Sequence, residues 1–260
     1  MSILETRRFT TAPDIDLTDE ALYEQELSGF REPILSCVSV SVVLPARNEA
    51  ENLPWVFERM PREVHEVILV DGNSHDDTID IARRLWPEIV VVRQRGSGKG
   101  AALRQGFAAA TGDVIVMLDG DGSTDPGEIP RFVAALLTGA DFAKGTRFVT
   151  GGGSADITPV RRLGNRVLSG LVNSFWNVNF SDLCYGYNAF WSRCRDDIVA
   201  DCRGFEVETL MNIRAARAKL SIVEVPSYEG NRRHGTSNLH AGRDGMRVLR
   251  TIFAELLRPR

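Results

Sequence analysis

Short apolar runs that alternate with longer segments of helical character constrain the fold of this chain more than any other feature. Four of them fall at residues 38–44, 66–70, 89–92 and 113–118, and all are rich in valine, isoleucine and leucine. Runs of this length are typical of strands that are buried on both faces. Because strands joined by helices pair in parallel, the pattern predicts an α/β fold with a Rossmann-like, mostly parallel central sheet flanked by helices.

Turn and capping residues mark the ends of the predicted helices. Ser74 and Asp77 resemble a capping box at the start of the second helix, and Gly112 stands where the helix that follows Lys99 should stop. Asp125 occupies the position of an N-cap residue before the next helix. These local signals agree with the strand and helix assignment.

The second half of the chain adds helices around a glycine-rich segment. Residues 151–153 are all glycine, which predicts a mobile loop and not a strand, and we expect this loop to border the ligand-binding site. Apolar residues at helical spacing predict helices over 163–176 and 205–218, and residues 221–226 form a further predicted strand. The last predicted helix, over 241–258, is basic and amphipathic.

The predicted organisation is one α/β domain with an appendage at each end. With 260 residues, 43% of them hydrophobic, the chain can bury one substantial core. Residues 1–36 form an acidic extension with a short predicted helix near 18–28, residues 37–240 form the domain, and residues 241–260 carry the C-terminal helix.

Charge, cysteine content and hydropathy limit the protein's partners and location. The net charge of −4 disfavours nucleic acid as a partner, because proteins that bind the phosphate backbone carry an excess of positive charge. The four cysteines include no CxxC pair, which predicts small buried thiols in a reducing cytoplasm. We find no signal-peptide pattern and no run of about 18 apolar residues, the minimum for a membrane span.

The sharpest chemical feature is Asp119-Gly120-Asp121, directly after the apolar run at 113–118. Carboxylates at the carboxyl end of a parallel strand face the ligand crevice of an α/β sheet. Mg²⁺ and Mn²⁺ prefer such oxygen ligands and leave positions open for phosphate groups. The alternative interpretation is a polar turn, because aspartate and glycine are common turn residues.

Two other segments suit a nucleotide. Asp71 ends the run at 66–70, where its carboxylate can accept hydrogen bonds from a ribose or a base, or can simply cap the following helix. Lys99 lies in GSGKG at 96–100, which lacks the GxxxxGK[ST] spacing of a P-loop and so argues against an ATPase. A diphosphate contact and an ordinary surface lysine both remain open for Lys99.

The downstream segments offer candidate bases and phosphate ligands. Asp182, Glu206 and Glu208 are candidate general bases for a hydroxyl acceptor. An arginine in the segment 231–239 can hold a phosphate with two hydrogen bonds. Each of these side chains is also compatible with an ordinary surface role.

Nine motifs follow one another along roughly residues 38–240. They are VVLPARNEAENL at 42–53, EVILVDGNSHDDT at 66–78, GKGAALRQGFAAATGD at 98–113, VMLDGDGSTDP at 116–126, GTRF at 145–148, DLCYGYNAF at 182–190, GFEVETL at 204–210, VEVPSY at 223–228 and RRHGTSNL at 232–239. Together, these motifs resemble family 2 glycosyltransferases, and within them the dolichyl-phosphate and polyprenyl-phosphate sugar synthases.

The resemblance implies a GT-A fold with a DxD metal site for Mg²⁺ or Mn²⁺. By the same resemblance, a nucleoside would contact Pro45, Arg47 and Glu49, and Asp71 would bind the base or ribose. The remaining implied residues are Asp119 and Asp121 at the metal and diphosphate, and Arg147 and Arg233 at phosphate groups. The chain departs from the family at VDGNS, where a second aspartate is common, and in having no transmembrane tail.

The expected activity is inverting transfer of a sugar from a UDP- or GDP-sugar to a polyprenyl phosphate. A soluble hydroxyl acceptor is an alternative that would require a general base. A nucleotidyltransferase and a non-catalytic nucleotide-sugar binder are two further alternatives, although residues 44–52 lack the glycine-rich phosphate loop of the first and the two aspartates disfavour the second. The helices over 163–176 and 241–258 either pack on the core or contact an anionic membrane surface peripherally.

Overall fold

The computed structural model of the chain describes residues 34–199, 201–236 and 241–258, with only the backbone at 241. The predicted helix near 18–28 lies outside the described residues. Leu35, which belongs to the predicted extension, is 2% exposed and packs in the main core.

A seven-stranded sheet forms the centre of the fold and confirms the α/β prediction. The strands are β1 (Val40–Ala46), β2 (Glu66–Asp71), β3 (Val90–Arg93), β4 (Val114–Met117), β5 (Phe142–Thr146), β7 (Asn188–Trp191) and β8 (Ile222–Pro226), with a separate pair formed by β6 (Gly153–Ser154) and β9 (Tyr228–Glu229). The order in the sheet is β3-β2-β1-β4-β7-β5-β8, and the four predicted runs form β1 to β4 in parallel. Strand β7 runs antiparallel between β4 and β5, and β8 is parallel to β5.

Helices cover both faces of the sheet. They are α1 (Leu53–Arg59), α2 (Thr78–Leu85), α3 (Lys99–Ala109), α4 (Ile129–Leu137), α5 (Pro159–Trp176), α6 (Arg195–Ile198), α7 (Val207–Arg217) and α8 (Ala241–Leu257). Val42 and Leu44 of β1 pack with α1, α2 and α4, whereas Val43 packs with α3 and α7 on the opposite face. Burying each such side chain contributes about 1.5 to 3 kcal/mol, which explains why the strands are apolar on both faces.

Two of the three predicted helix boundaries are wrong. Helix α2 begins at Thr78 without a side-chain cap, and the Ser74 hydroxyl instead accepts a hydrogen bond from the Asn48 amide at 3.0 Å. Helix α3 ends at Ala109, before Gly112, where an added Cβ would lie 2.8 Å from the Ser39 carbonyl oxygen. Gly112 therefore permits a close backbone approach and does not stop the helix.

The third boundary, at Asp125, is confirmed. Its carboxylate accepts from the Gly127 amide at 2.8 Å and caps a 3₁₀ turn, Pro126–Glu128, that leads into α4. A side chain that satisfies an otherwise unpaired amide at a helix start is the expected role of an N-cap aspartate.

The prediction of an irregular loop over residues 151–153 is wrong at its last residue. Gly153 belongs to β6 and pairs in parallel with Tyr228 of β9. A Cβ at Gly153 would lie 2.8 Å from the Tyr228 ring, so glycine is needed there for the ring to lie against the backbone.

The predicted helices of the second half appear as α5, α7 and α8, but α5 buries only part of its apolar surface. Val160, Leu163 and Val167 are 74%, 64% and 55% exposed. Helix α8 buries Val248 and Ile252 in a small cluster with Val172 of α5. Of the helices in the described ranges, none combines the length and apolar character required to cross a bilayer.

The cysteines differ in their environments. Cys194 is buried as expected, whereas Cys37 is exposed, against the prediction of four buried thiols.

Candidate active site

The carboxyl ends of β1, β2 and β4 meet at one edge of the sheet. The strand order changes direction between β1 and β4, which is where ligands bind in open α/β sheets. A cavity of about 550 Å³ opens beside the segment that follows β4. Its lining includes Lys99, Asp119, Asp121, Arg147, Glu208, Glu229 and Arg232 near the sheet, and Ile157, Val160, Arg161, Gly164, Leu168 and Val248 from α5, α8 and the adjoining loop.

Asp119 forms part of a buried ionic cluster with Lys99 and Glu208. The Lys99 Nζ lies 2.6 Å from Asp119 Oδ1 and 2.7 Å from Glu208 Oε1. Burial opposes the charge on Lys99, but the two carboxylates outweigh it and raise the lysine pKa. Burial also raises the pKa of Glu208, although Lys99 opposes that shift. Lys99 is therefore a fixed positive charge beside Asp119 and not an ordinary surface lysine, and its diphosphate contact stays a prediction.

Asp121 is held from two sides. Its Oδ1 accepts hydrogen bonds from the Ser123 amide at 3.0 Å and the Ser123 hydroxyl at 2.7 Å. Its Oδ2 lies 3.1 Å from Nη1 of Arg232. The other guanidinium nitrogen, Nη2, lies 2.6 Å from both carboxylate oxygens of Glu49. Burial raises the pKa of Glu49, against the opposing effect of Arg232.

The two aspartates suit a divalent cation that is completed by a ligand. No cluster of three or more histidine, cysteine, aspartate or glutamate side chains with metal-binding geometry occurs among the described residues. Asp119 and Asp121 are 31% and 22% exposed at the cavity, so their oxygens are accessible. Mg²⁺ and Mn²⁺ are commonly held by one or two carboxylates together with phosphate oxygens and water. The residues therefore fit such an ion in the presence of a diphosphate.

The predicted nucleoside residues lie on the adjoining strand ends. Asp71 pairs in register with Ala46, directly after Pro45, and its side chain is buried and accepts from the Ser74 amide at 3.2 Å. Arg47 is exposed on the same edge. The structure thus brings Pro45, Arg47 and Asp71 together, and their nucleoside contacts stay predictions.

Arg147 is engaged by two carboxylates. Its Nε and Nη2 donate to Asp182 at 2.7 and 3.0 Å, and its Nη1 donates to Glu229 at 2.9 Å. Burial alone would raise the pKa of Asp182, but the positive charges of Lys144 and Arg147 outweigh the effect of burial, so the pKa is lowered. Asp182 is fully buried, and this geometry makes it a residue that orients Arg147.

Two predicted site residues lie apart from the carboxylate cluster. Glu206 accepts from the Arg203 and Gly204 amides at 3.3 and 3.0 Å in the loop before α7. The guanidinium of Arg233 stacks over the Trp55 ring, 4.4 Å from its centroid. Their roles as base and phosphate ligand stay predictions.

The structure adds residues that the sequence patterns did not single out. Arg232, and not its neighbour Arg233, contacts Asp121 and Glu49. Glu229 pairs with Arg147, and Arg161 lines the cavity, where its Nη1 lies 2.6 Å from Asp156 Oδ2. Consecutive arginines in a loop carry no periodicity, so sequence could not choose between Arg232 and Arg233.

Comparisons with known proteins agree with this geometry. The sequence profile of "Glycosyl transferase family 2" matches residues 41–199. The chain is 31% identical over 225 residues to a dolichol-phosphate mannosyltransferase of Pyrococcus furiosus, covering 83% of this chain and 63% of that protein. It is 35% identical over 221 residues to a polyprenol monophosphomannose synthase of Mycolicibacterium smegmatis, covering 76% of this chain and 80% of the relative.

A solved structure shares the same architecture. The glucosyl-3-phosphoglycerate synthase of Mycobacterium tuberculosis, in complex with Mn²⁺, UDP and glucosyl-3-phosphoglycerate, superposes with a TM-score of 0.69 at 26% identity, covering 90% of this chain and 85% of that one. The central sheet is that of the GT-A fold, as the sequence resemblance implied. By profile, relatives and fold, the chain belongs to glycosyl transferase family 2 and is a glycosyltransferase.

Proposed function

We propose that this protein transfers a sugar from a UDP- or GDP-sugar to a polyprenyl phosphate, with inversion at the anomeric carbon and with Mg²⁺ or Mn²⁺. One observation carries the proposal. The cavity lined by Lys99, Asp119 and Asp121 is also lined by α5 and α8, which contribute the apolar side chains of Val160, Leu168 and Val248 beside the polar Arg161, Asn165 and Asp244. Charged groups for a diphosphate and apolar side chains for a lipid thus border one cavity.

On the donor side, we assign each predicted residue the role that the family resemblance implies, except that the role of Lys99 comes from its place in the GSGKG segment. Pro45, Arg47, Glu49 and Asp71 would bind the nucleoside. Asp119 and Asp121 would hold the cation, which supplies neutralisation of the departing diphosphate. Lys99 would donate to a phosphate oxygen, and Arg147 and Arg233 are the further predicted phosphate ligands.

On the acceptor side, Arg161 is suited to the acceptor phosphate. Its side chain is 26% exposed and lines the same cavity as the carboxylate cluster and the apolar residues of α5. An arginine binds phosphate oxygens through two parallel hydrogen bonds. Displacing Asp156, its present partner, would free the Nη1 donor.

The chemistry is a single displacement. An oxygen of the acceptor phosphate forms a bond to the anomeric carbon while the bond from that carbon to the donor diphosphate breaks, and the electron pair leaves with the nucleoside diphosphate. An anionic phosphate needs no general base. Asp182 and Glu208 are ion-paired and Glu206 caps a loop, which favours a reaction without a base over one with a hydroxyl acceptor.

We also propose peripheral membrane contact through the exposed surface of α5. Val160, Leu163 and Val167 form an exposed stripe on α5, and Arg162 and Arg166 lie exposed on the same helix. Exposed apolar residues flanked by arginine favour the interface of an anionic bilayer. Such contact would present a lipid-linked phosphate to the open side of the cavity.

A small phosphorylated acceptor is the second candidate. The observation in its favour is the 26% identity to a glucosyl-3-phosphoglycerate synthase whose complex contains Mn²⁺, UDP and a phosphorylated product. Such an acceptor would use the same donor chemistry and would not need the exposed stripe of α5.

The test measures transfer of radiolabelled sugar from UDP- and GDP-sugars to two acceptors, a polyprenyl phosphate in detergent and 3-phosphoglycerate. Each combination of donor and acceptor is assayed with Mn²⁺ and with Mg²⁺. We expect label in the organic phase with the polyprenyl phosphate, and none after chelation or in Asp121→Ala. Label confined to the aqueous product would favour the second candidate. Binding of donor without transfer to either acceptor would contradict both.

A further inference from the structure

Each aspartate of the Asp119-Gly120-Asp121 segment is paired with a cation supplied by the protein. Asp119 pairs with Lys99 from α3, and Asp121 pairs with Arg232 from the loop after β9. The two pairs differ in their contacts, because Lys99 lies 2.6 and 2.9 Å from the two carboxylate oxygens of Asp119, whereas Arg232 reaches only one oxygen of Asp121, at 3.1 Å. Arg232 is therefore the more readily displaced of the two.

We propose that Arg232 is a placeholder for the divalent cation. Its Nη1 lies 3.1 Å from the Oδ2 of Asp121, and it would release this oxygen to a metal that arrives with the nucleotide. This inference rests on the proposed function, because it assumes that Asp121 is a metal ligand. Its consequence is that the free protein binds metal weakly, so that metal loading depends on the diphosphate.

The bonds of Arg232 favour exchange over a permanent pair. Its contact with Asp121 is one nitrogen at 3.1 Å, whereas its contact with Glu49 is 2.6 Å to both oxygens. The Nε donates to the His234 carbonyl oxygen at 2.7 Å. Arg232 can therefore lose Asp121 and keep a charged partner, which lowers the free-energy cost of the exchange.

The loop that carries Arg232 is held independently of that side chain. The Gly230 amide donates to the Ser123 carbonyl oxygen at 2.8 Å, and the His234 amide donates to Asn52 Oδ1 at 2.8 Å. The Arg233 amide reaches the carbonyl oxygen of Asp121 at 3.3 Å. The backbone thus keeps Arg232 near Asp121 whether or not the two side chains are paired.

The hydrogen-bond partners of Asp121 support competition between Arg232 and the metal at the Oδ2 atom. The Oδ1 is engaged by the amide and hydroxyl of Ser123, so the Oδ2 that faces Arg232 is the oxygen available to a ligand. A cation and a guanidinium cannot share one side of a carboxylate oxygen without repulsion between like charges. Removing Arg232 should therefore increase the affinity of the donor-free protein for metal.

The test is a titration of the full chain with Mn²⁺ alone, in which electron paramagnetic resonance measures the concentration of free Mn²⁺. The titration is then repeated with UDP and with GDP. We expect Arg232→Gln and Arg232→Met to bind Mn²⁺ about tenfold more tightly than the wild type without nucleotide, the effect of regaining one charged hydrogen-bond position. The difference should shrink when nucleotide is present. If one variant fails to fold, as judged by thermal melting, the other carries the test.

Arg233→Gln is the matched control. It removes the same charge from the adjacent position without touching Asp121 or Glu49, so its Mn²⁺ affinity without nucleotide should equal that of the wild type. Equal tightening in Arg232→Gln and Arg233→Gln would mean that only net charge matters and would overturn the proposal. So would unchanged affinity in both Arg232 variants.

Asp121→Asn separates this inference from the proposed function. If it abolishes Mn²⁺ binding in the presence of nucleotide while Arg232→Gln has no effect, the metal site stands and the exchange is wrong. If Asp121→Asn binds Mn²⁺ and nucleotide as the wild type does, the metal site itself is wrong, and the proposed function fails with it.

Discussion

The ammonium group of Lys99 lies within 2.9 Å of both carboxylate oxygens of Asp119. The same nitrogen contacts Glu208, whose side chain is 3% exposed. A buried carboxylate without a positive partner is strongly destabilising, so Lys99 has a structural role in addition to its proposed contact with the donor.

Lys99→Met should lower the free energy of unfolding by about 3 kcal/mol, because it leaves Glu208 buried without its cation. Urea denaturation measures the loss. The double variant Lys99→Met/Glu208→Gln should recover more than half of it, since the uncompensated charge is then removed. A single variant as stable as the wild type would show that Glu208 is already neutral in the folded protein.

Gly186→Ala should weaken nucleotide binding at least tenfold, a loss of about 1.4 kcal/mol. A Cβ at Gly186 would lie 2.8 Å from Lys99 Nζ and 2.9 Å from Asp119 Oδ2, so the ionic cluster would have to move. Calorimetric titration with UDP or GDP and Mn²⁺ measures the effect.

The matched control for this substitution is Gly164→Ala. Gly164 also lines the cavity, but a Cβ there would meet no atom within 4 Å. Its nucleotide affinity should equal that of the wild type, and its helix should gain up to about 1 kcal/mol from the better helix former. Equal weakening in both variants would contradict the steric explanation.

The ion pair between Asp182 and Arg147 should make stability depend on pH in the acidic range. The pKa of Asp182 is lowered from its ordinary value of 3.8, so its contribution is fully present above that value and is lost as the pH falls through the lower, folded-state pKa. The difference in melting temperature between the wild type and Asp182→Asn should be constant near neutral pH and shrink below about pH 4. A difference that stays unchanged down to pH 2 would contradict the pairing.

Membrane binding should depend on the exposed stripe of α5. We expect the triple variant Val160→Ser/Leu163→Ser/Val167→Ser to lose at least fivefold in co-sedimentation with vesicles that contain anionic lipid. Its stability should change by less than about 1 kcal/mol, because these side chains are largely exposed. Leu137→Ser on α4, where the leucine is 41% exposed, is the control and should bind as the wild type does. Wild-type protein that does not sediment with such vesicles would remove the membrane hypothesis.

Removal of divalent metal should abolish transfer, and Asp121→Ala should reduce it at least about 100-fold, since the departing diphosphate would lose its electrostatic stabilisation. Initial rates of nucleoside diphosphate release, with and without chelator, measure both effects. Added Mn²⁺ or Mg²⁺ should restore the chelated wild type and not the variant. Transfer that continues after chelation would contradict the metal's role.

The amino-acid sequence by itself determined the parallel part of the sheet, β1 to β4, and the position of the DGD segment, whereas it did not reveal β5 or the antiparallel β7. Apolar runs on both faces of β1, β2 and β4 can be buried only between two layers of helices, and polar residues directly after such strands must lie at the carboxyl edge. These are consequences of local pattern and of the short connections of α/β folds, so they could be predicted without coordinates.

Tertiary structure decided the partners of the charged residues. Glu49 and Arg232 are 183 positions apart, and Lys99 and Glu208 are brought together from α3 and α7, which are separated in the chain by several strands. Tertiary structure also left the stripe of α5 exposed, although its spacing is equally compatible with a core helix. Local pattern shows that a side chain is charged or apolar, whereas its neighbours depend on how distant segments pack, and in this protein that packing chooses Arg232 over Arg233.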